Sequence, residues 1–449
     1  MDLRPTLAAV RFGTGLSPRL PAPRDAGAIL ARLAGPDLAM ASYPHAPWHV
    51  VAAEAMEFVA VRRKRNDSAA ADQAFRDMRD AMTERWWGDM ARVVQRAVTT
   101  TDGFRERLDW FWSDHFTVSG MSGYLRRTIP AYRSDIRRHV AGRFADLLYA
   151  AVTHPAMLDY LDQRRSAGPN SPRGRRGGGL NENLARELLE LHTLGADGGY
   201  GQADVTELAK LMTGFTVTKE GLPQFQPNMA EPGAETVLGR SYGGGDPSPE
   251  HFRAAVEDLA VHPATARHLA RKLAVHFVAD DPEPALVEAL ERTWLHTGGD
   301  LMAVYAALLD HPAAWAPELR KVRRPLEVIV AGMRALDPDA DLTQRGRNDL
   351  RVAIWKPMQL MGQQIHETPG PDGWPEAAEA WITPQGLAAR IEWAMTVPVR
   401  LADLPEPRGF VDTALGPLAT GRTRFAAGAA ETREAGIGLV LASPEFQRR

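Results

Sequence analysis

Between Asn181 and Gly195 the chain reads Asn-Glu-Asn-Leu-Ala-Arg-Glu-Leu-Leu-Glu-Leu-His-Thr-Leu-Gly, with apolar positions on a helical period. At about 100° per residue, Leu184, Ala185, Leu188, Leu189 and Leu191 cover a wide arc. Asn183, Arg186, Glu187 and Glu190 fall within roughly 100° on the other side. Asn181 or Asn183 can cap the first turn, and Gly195 can take the left-handed stop. So broad an apolar surface predicts a largely buried helix with one narrow polar seam, facing either water or a cleft.

The same period recurs along most of the chain. It predicts helices at Ala28–Leu33, after Asp25 as N-cap, and at Ser68–Thr99, where Met78, Met82, Trp86 and Trp87 carry the period. A further helix, Gly103–Thr117, contains Trp110-Phe111-Trp112 and stops near Gly120 and Gly123. Others follow at about Arg133–Val152, Pro155–Asp162 and Gln202–Thr213, and from Pro249 to Leu336. Residues 163–180, with Arg164, Arg165, Arg173, Arg175 and Arg176 among Gly, Ser and Pro, read as a mobile basic loop. Within 214–248, the short runs Phe215–Thr218 and Thr236–Leu238 predict a small β-flap or long loop. Residues 1–24 are Pro-rich with a turn at Arg11–Gly15, and Val397–Arg424 reads as a Pro-rich connection before a last helix ending at Ser443–Phe446. His-Pro-Ala recurs at His154, His262 and His311, each time after an apolar helical run. Proline suits a first helical position, and the irregular spacing argues against a solenoid. The fold expected is mostly α: one large helical domain over residues 1–449 with a small β-flap or long-loop insertion.

Charge and composition mainly exclude. A net charge of −3 gives no bulk attraction to nucleic acid or membrane, and the arginine loop lacks interleaved aromatics. No run approaches the roughly 18 apolar residues of a membrane span. The absence of cysteine removes thiolate metal sites, cysteine-ligated clusters, disulfides and thiol catalysis. The first residues lack a basic segment followed by an apolar run, so no signal peptide is expected and the cytoplasm is the default compartment. The glycine triplets 177–179 and 243–245 are not followed by Lys-Ser/Thr. His-Glu-x-x-His and Glu-x-x-His are both missing.

The candidate chemistry lies in the seam. Glu187 and Glu190, about one turn apart, can serve as acid and base or as ligands to a divalent metal, with Arg186 holding an anionic group. Equally, Arg186 and Glu190 can be an i,i+4 ion pair. His115 ends the aromatic helix, where it can act as a base or third metal ligand, or simply pack against rings at a helix terminus. His192 falls roughly 140° around from Glu187, amid leucines, and is expected to be a core histidine with a satisfied hydrogen bond. His268 and His276 share one helix. Asn183 in the seam and Trp374 in the rigid Thr368–Pro375 loop are assigned substrate-contacting or structural roles, Trp374 as a pocket wall or a packing plug.

Several stretches together resemble one family. They are Arg11-Phe12-Gly13, Phe111-Trp112-x-x-His115-Phe116, Pro155–Asp162, Asn181–Gly195, Leu211-Met212-Thr213-Gly214-Phe215, His262–Arg267, Gly373-Trp374-Pro375 with Trp381-Ile382, and Ser443–Phe446. In this order, across nearly the whole chain, they resemble the bacterial domain-of-unknown-function 1800 family. That resemblance implies no settled activity. It implies members that are often exported, and a frequent neighbour from the domain-of-unknown-function 1501 family, of sulfatase-like or phosphatase-like character and often with a twin-arginine signal. Export together with such a partner is therefore the alternative to the cytoplasm. Relatives often show His-Asp-x-Gly-x-Lys-Thr where this chain has Ala230–Thr236, so Ala230 and Glu235 replace the His and the Lys. Relatives also carry Phe at the place of His192.

The function expected is an enzyme with a carboxylate and histidine site, metal-assisted or not, in a helical cleft: Glu187, Glu190, His115 and Arg186. It would act alongside the sulfatase-like partner. The alternative is a non-catalytic escort that binds and stabilises that partner.

Overall fold

Helix starts in this protein are set by side chains that accept a hydrogen bond from the first turn. Asp25 accepts from Ala28 N at 2.8 Å, Ser68 from Ala71 N at 3.1 Å, and Asp102 from Arg105 N at 3.1 Å. The three His-Pro-Ala echoes do the same with imidazole. Nδ1 of His154, His262 and His311 accepts from the N–H two residues on, at 3.1, 3.2 and 3.2 Å, while the intervening proline has no N–H to leave unsatisfied. The capping geometry places the ring proton on Nε2 in all three.

The computed structural model describes residues 2–120, 125–337 and 341–449. Helix covers 62% of the chain. Among the described residues, sheet is confined to two antiparallel pairs, β1 (Phe215–Val217) with β2 (Pro223–Phe225) and β3 (Ala234–Val237) with β4 (Arg240–Gly243). The mostly-α expectation with a small strand insertion holds. β1 pairs through Phe215 opposite Phe225, and Phe215 packs the flap on the body edge to face against Phe252. No helix among the described residues is long and apolar enough to cross a membrane.

Three stretches differ from their reading. Arg133–Val152 is two helices, Leu125–Arg137 and Phe144–Val152, because the chain turns at 138–143 and Arg143 takes extended backbone to pair with Asp300. Val397–Arg424 is largely helical: Pro398–Leu401, Pro407–Leu415 and Gly421–Gly428, with prolines in the first turn of the first two, where they begin helices instead of breaking them. Trp48–Lys64, not predicted, is a helix that packs on the long Ala69–Thr99 helix, partly through Phe58 against Phe75. The aromatic helix runs Gly103–His115 and ends at Phe116; Gly123, read as part of its stop, lies outside the described residues.

Two hydrophobic cores lie on either side of that aromatic helix. Phe104, Leu108, Phe111 and Trp112 belong to the first, with Phe144, Leu188, Leu189 and Leu273; Trp110 belongs to the second, with Trp86, Val94, Ile329 and Trp393. A helix buried on all sides cannot leave its charges in water, so each must be paired. Glu106 is wholly buried and takes Arg96 Nε on both oxygens at 3.0 Å and Arg137 Nη2 at 2.7 Å. Asp109 takes Arg96 Nη2 at 2.9 Å and Arg133 Nη2 at 3.2 Å. Arg107 pairs with Glu327, whose other oxygen accepts from Arg449 Nε at 2.8 Å.

Glu106→Ala strands two buried guanidinium groups and is expected to cost about 3–5 kcal/mol. Urea unfolding of the variant measures this; a loss below about 1 kcal/mol would show that the cluster is not a supporting element.

Candidate functional site

The Asn183–Glu187 helix continues into a π-turn at Leu188–His192, closed by Leu194 N donating to Leu189 O at 2.9 Å. Asn181 Oδ1 accepts from Asn183 N at 2.9 Å, and Gly195 takes φ +84°, so both marked ends behave as read. The angular reading does not hold. A π-turn brings residues five apart into line, which moves His192 away from the 140° offset expected of a regular helix.

Leu184, Leu188 and Leu189 are buried, Leu191 is only partly so, and the seam is half-exposed: Asn183 is exposed, while Arg186, Glu187 and Glu190 are intermediate. Arg186 does not pair with Glu190. Its guanidinium reaches back to Glu182 at 3.3 Å and to Gln202 at 3.0 Å. Neither Glu187 nor Glu190 makes a hydrogen bond or ion pair among the described residues. Burial, then Glu190, then Asp372 raise the Glu187 carboxyl above its usual range. Burial, then the charges of Glu187 and Asp372, raise the phenol of Tyr160.

His115 faces the other wall. Its Nε2 donates to the His192 carbonyl at 3.2 Å and its Nδ1 accepts from Lys272 Nζ at 3.0 Å. Lys272 comes from the Pro263–Phe277 helix, where His268, Lys272 and His276 follow at i, i+4 and i+8 on one face. His268 Nε2 donates to Leu191 O at 3.3 Å. Thus two of the carbonyls left over at the end of the seam helix are capped by imidazoles. Burial, reinforced by the Lys272 charge, lowers His115 well below the normal histidine value and lowers His268 to about 4. Burial also lowers Lys272, against the opposing pull of Asp114 and Glu376.

A third element joins them. The Gly370–Glu376 loop carries Trp374, whose N–H donates to Asp114 Oδ1 at 2.8 Å; Gly373 lies so close to Asp114 that a Cβ would meet its carbonyl at 2.6 Å. Arg324 bridges Asp114 at 2.8 Å and Glu376 at 2.6 Å. Glu376 also accepts from His276 Nδ1 at 2.6 Å and pairs with Lys321 at 3.1 Å. Burial alone would raise Glu376, but Arg324, His276 and Lys321 hold it well below the carboxylate range. Behind this wall is a cavity of about 80 Å³, lined by Ser113, Asp114, Arg133, Gln363, His366 and Trp374. His366 sits there at φ +64°, a conformation that side chains other than glycine rarely adopt.

The scan against known families matches residues 10–448 to the family described as "Protein of unknown function (DUF1800)". The chain belongs to the DUF1800 family. Neither the comparison with curated proteins nor that with solved structures returns a match.

Of the residues expected to make the site, Glu187 and Glu190 lie on one half-exposed helix face and Trp374 lines the cavity, whereas Arg186 turns away towards Gln202. His115 is not brought to the two glutamates as a ligand set, since both its ring nitrogens are engaged elsewhere. Among the described residues no group of three or more His, Asp or Glu side chains is placed to hold a metal ion. His192 is fully buried, as expected, but neither ring nitrogen has a hydrogen-bond partner; the ring lies 5.1 Å from Phe116 and 5.6 Å from His115. Missed from the sequence were Lys272, Asp114, Arg324, Asp372 and Glu376. One signal for Lys272 was available: it is one of only six lysines among 53 basic residues, and it lies a helical turn from a histidine on either side.

The two positions at which the resemblance implies His and Lys lie in the flap. Ala230 is buried where a glycine Cβ at Gly214 would meet it at 3.1 Å. Glu235 is raised to about 7 by burial and by its hydrogen bond to Glu207.

Two predictions follow from these placements. His192→Phe removes two unbonded buried nitrogens from an aromatic setting and is expected to stabilise by about 1–2 kcal/mol in chemical unfolding; a loss of stability would mean that the imidazole is bonded. A raised folded-state carboxyl favours the protonated form, so stability falls as pH rises from 4.5 to about 7. Glu235→Gln should abolish that decline, gaining on the order of 1 kcal/mol at high pH and little below the window. Thermal unfolding across pH decides it, and parallel curves for the two proteins would refute it.

Proposed function

We propose that the protein is an enzyme carrying out acid–base chemistry where the seam helix, the Pro263–Phe277 helix and the Gly370–Glu376 loop meet. Lys272 with His115 is the base, and Glu187 is the acid. The observation behind this reading is a convergence of shifts: burial and like charges move Glu187 up, while burial moves Lys272 and His115 down. Groups driven towards neutrality from both sides exchange protons with least cost near physiological pH. Burial, then Glu190 and Asp372, favour the protonated form of Glu187. Asp114, Arg324 and Glu376 touch no reacting atom in this reading; they position the loop that carries Asp372 and Trp374. Arg186 takes no part.

The sulfatase-like domain-of-unknown-function 1501 protein stays in the proposal as the partner implied by the family resemblance. Its retention on the immobilised chain supports that role. Failure to retain it removes the partner and leaves the acid–base chemistry standing.

The reading requires a lysine that is neutral near physiological pH. In protein labelled with [13C]lysine, the Lys272 side-chain resonance is expected to titrate well below those of the exposed Lys64, Lys219 and Lys356. If all titrate together, the base is lost and the reading with it. Against ester, glycoside and carbonyl substrates, Lys272→Met and His115→Gln should each lower turnover by about 10²–10⁴-fold.

A further inference from the structure

Of the two lysines in the polar wall, one is spent and one is not. Lys321 is buried to 1% exposure and is held by Asp280, by the Glu376 carbonyl at 2.9 Å and by the Glu376 carboxylate at 3.1 Å. This is how a structural lysine is paired. Lys272 lies in the same wall, half-buried, and its one hydrogen bond is to His115 Nδ1 at 3.0 Å. No carboxylate among the described residues comes within ion-pairing reach of its Nζ. Of the three acids whose charge acts on it, Asp114, Glu376 and Asp372, the first two are claimed by Arg324.

We propose that Lys272 forms an imine with an uncharged or cationic aldehyde or ketone, with His115 shuttling the protons. This rests on the acid–base reading of the same residues and extends it to a covalent step. His115 Nε2 is committed to the His192 carbonyl, so Nδ1 faces the amine as an acceptor and the Nζ lone pair points elsewhere. A lysine with no counter-ion in a desolvated wall is the form that adds to carbonyls. The nitrogen lone pair forms the new bond to the carbonyl carbon, and the carbonyl π pair moves onto oxygen, which takes a proton from Glu187. The proton released by nitrogen passes to His115 Nδ1. His115 then returns it to the hydroxyl, the C–O bond breaks, and water leaves as C=N forms. No oxidant or reductant enters. The charge limit on the substrate comes from Glu187, Glu190 and Asp372, whose carboxylates together disfavour an anion.

The test uses the full chain with glycolaldehyde as the probe and borohydride to reduce any imine to a stable secondary amine. The expected result is one adduct per chain, with the mass of the aldehyde less one oxygen. It should map to Lys272 and form at least about tenfold faster than adducts at Lys64, Lys219 or Lys356. Omitting borohydride should leave no adduct. Glyoxylate, an anionic aldehyde, should trap more slowly. Lys272→Met should abolish the adduct, and His115→Gln should slow it about tenfold while preserving the unfolding midpoint. Label spread over the exposed lysines with Lys272 bare overturns the proposal, as does preferential trapping of glyoxylate for its charge limit. If Lys272 titrates low yet is never trapped, the acid–base reading survives and the imine falls. If Lys272 titrates with the exposed lysines, both fall.

Discussion

A helix buried on every side must have each of its charges answered by another segment. Glu106, Arg107 and Asp109 lie on the helix that separates the two cores, and none is more than 1% exposed. Their partners come from far along the chain: Arg96 from the long helix, Arg133 and Arg137 from the next, Glu327 from beyond residue 320, and Arg449 through Glu327. Desolvating so many ions means that the cluster adds little net stability over a well-packed apolar alternative. What it does impose is register, because sliding any one segment by a turn would leave a buried charge without an opposite.

The same demand shapes the candidate site. Arg324 and Lys321 satisfy Asp114, Asp280 and Glu376, and these pairings lock the Gly370–Glu376 loop against the end of the aromatic helix. With those carboxylates taken, Lys272 has a histidine instead of an acid as its neighbour. Burial lowers its affinity for the proton, and the matched ions beside it leave no carboxylate in contact to offset that. A site in which one basic group is left without a counter-ion carries a local cost, and such costs gather where chemistry is done.

Much of the architecture was readable in the sequence because helix ends are local events. Asp25, Ser68, Asp102 and the His-Pro-Ala steps announce caps within three residues, and Gly195 announces its stop. The prolines of 398–417 misled because proline is ambiguous: it breaks a helix from inside and begins one from its first turn. The candidate site was half readable. Glu187 and Glu190 stand out as charges on an apolar helix, yet the angular geometry that related them to His192 assumed a uniform 100° step that the π-turn does not keep. Lys272 meets His115 across 157 residues, and no pattern within one helix encodes such a contact.

The π-turn also sets the protonation of the site. By ending the seam helix early, it leaves the Leu191 and His192 carbonyls without backbone partners, in a place where water is scarce. Two imidazole N–H groups fill that need, His268 on Leu191 and His115 on His192. Once His115 donates through Nε2 to a carbonyl, its neutral tautomer can only accept at Nδ1, and Nδ1 is the atom Lys272 faces. Burial, and then the Lys272 amine 3.0 Å away, disfavour a second proton on His115. A local irregularity of backbone hydrogen bonding thus fixes a tautomer, and the tautomer fixes which way a proton can move between the two residues.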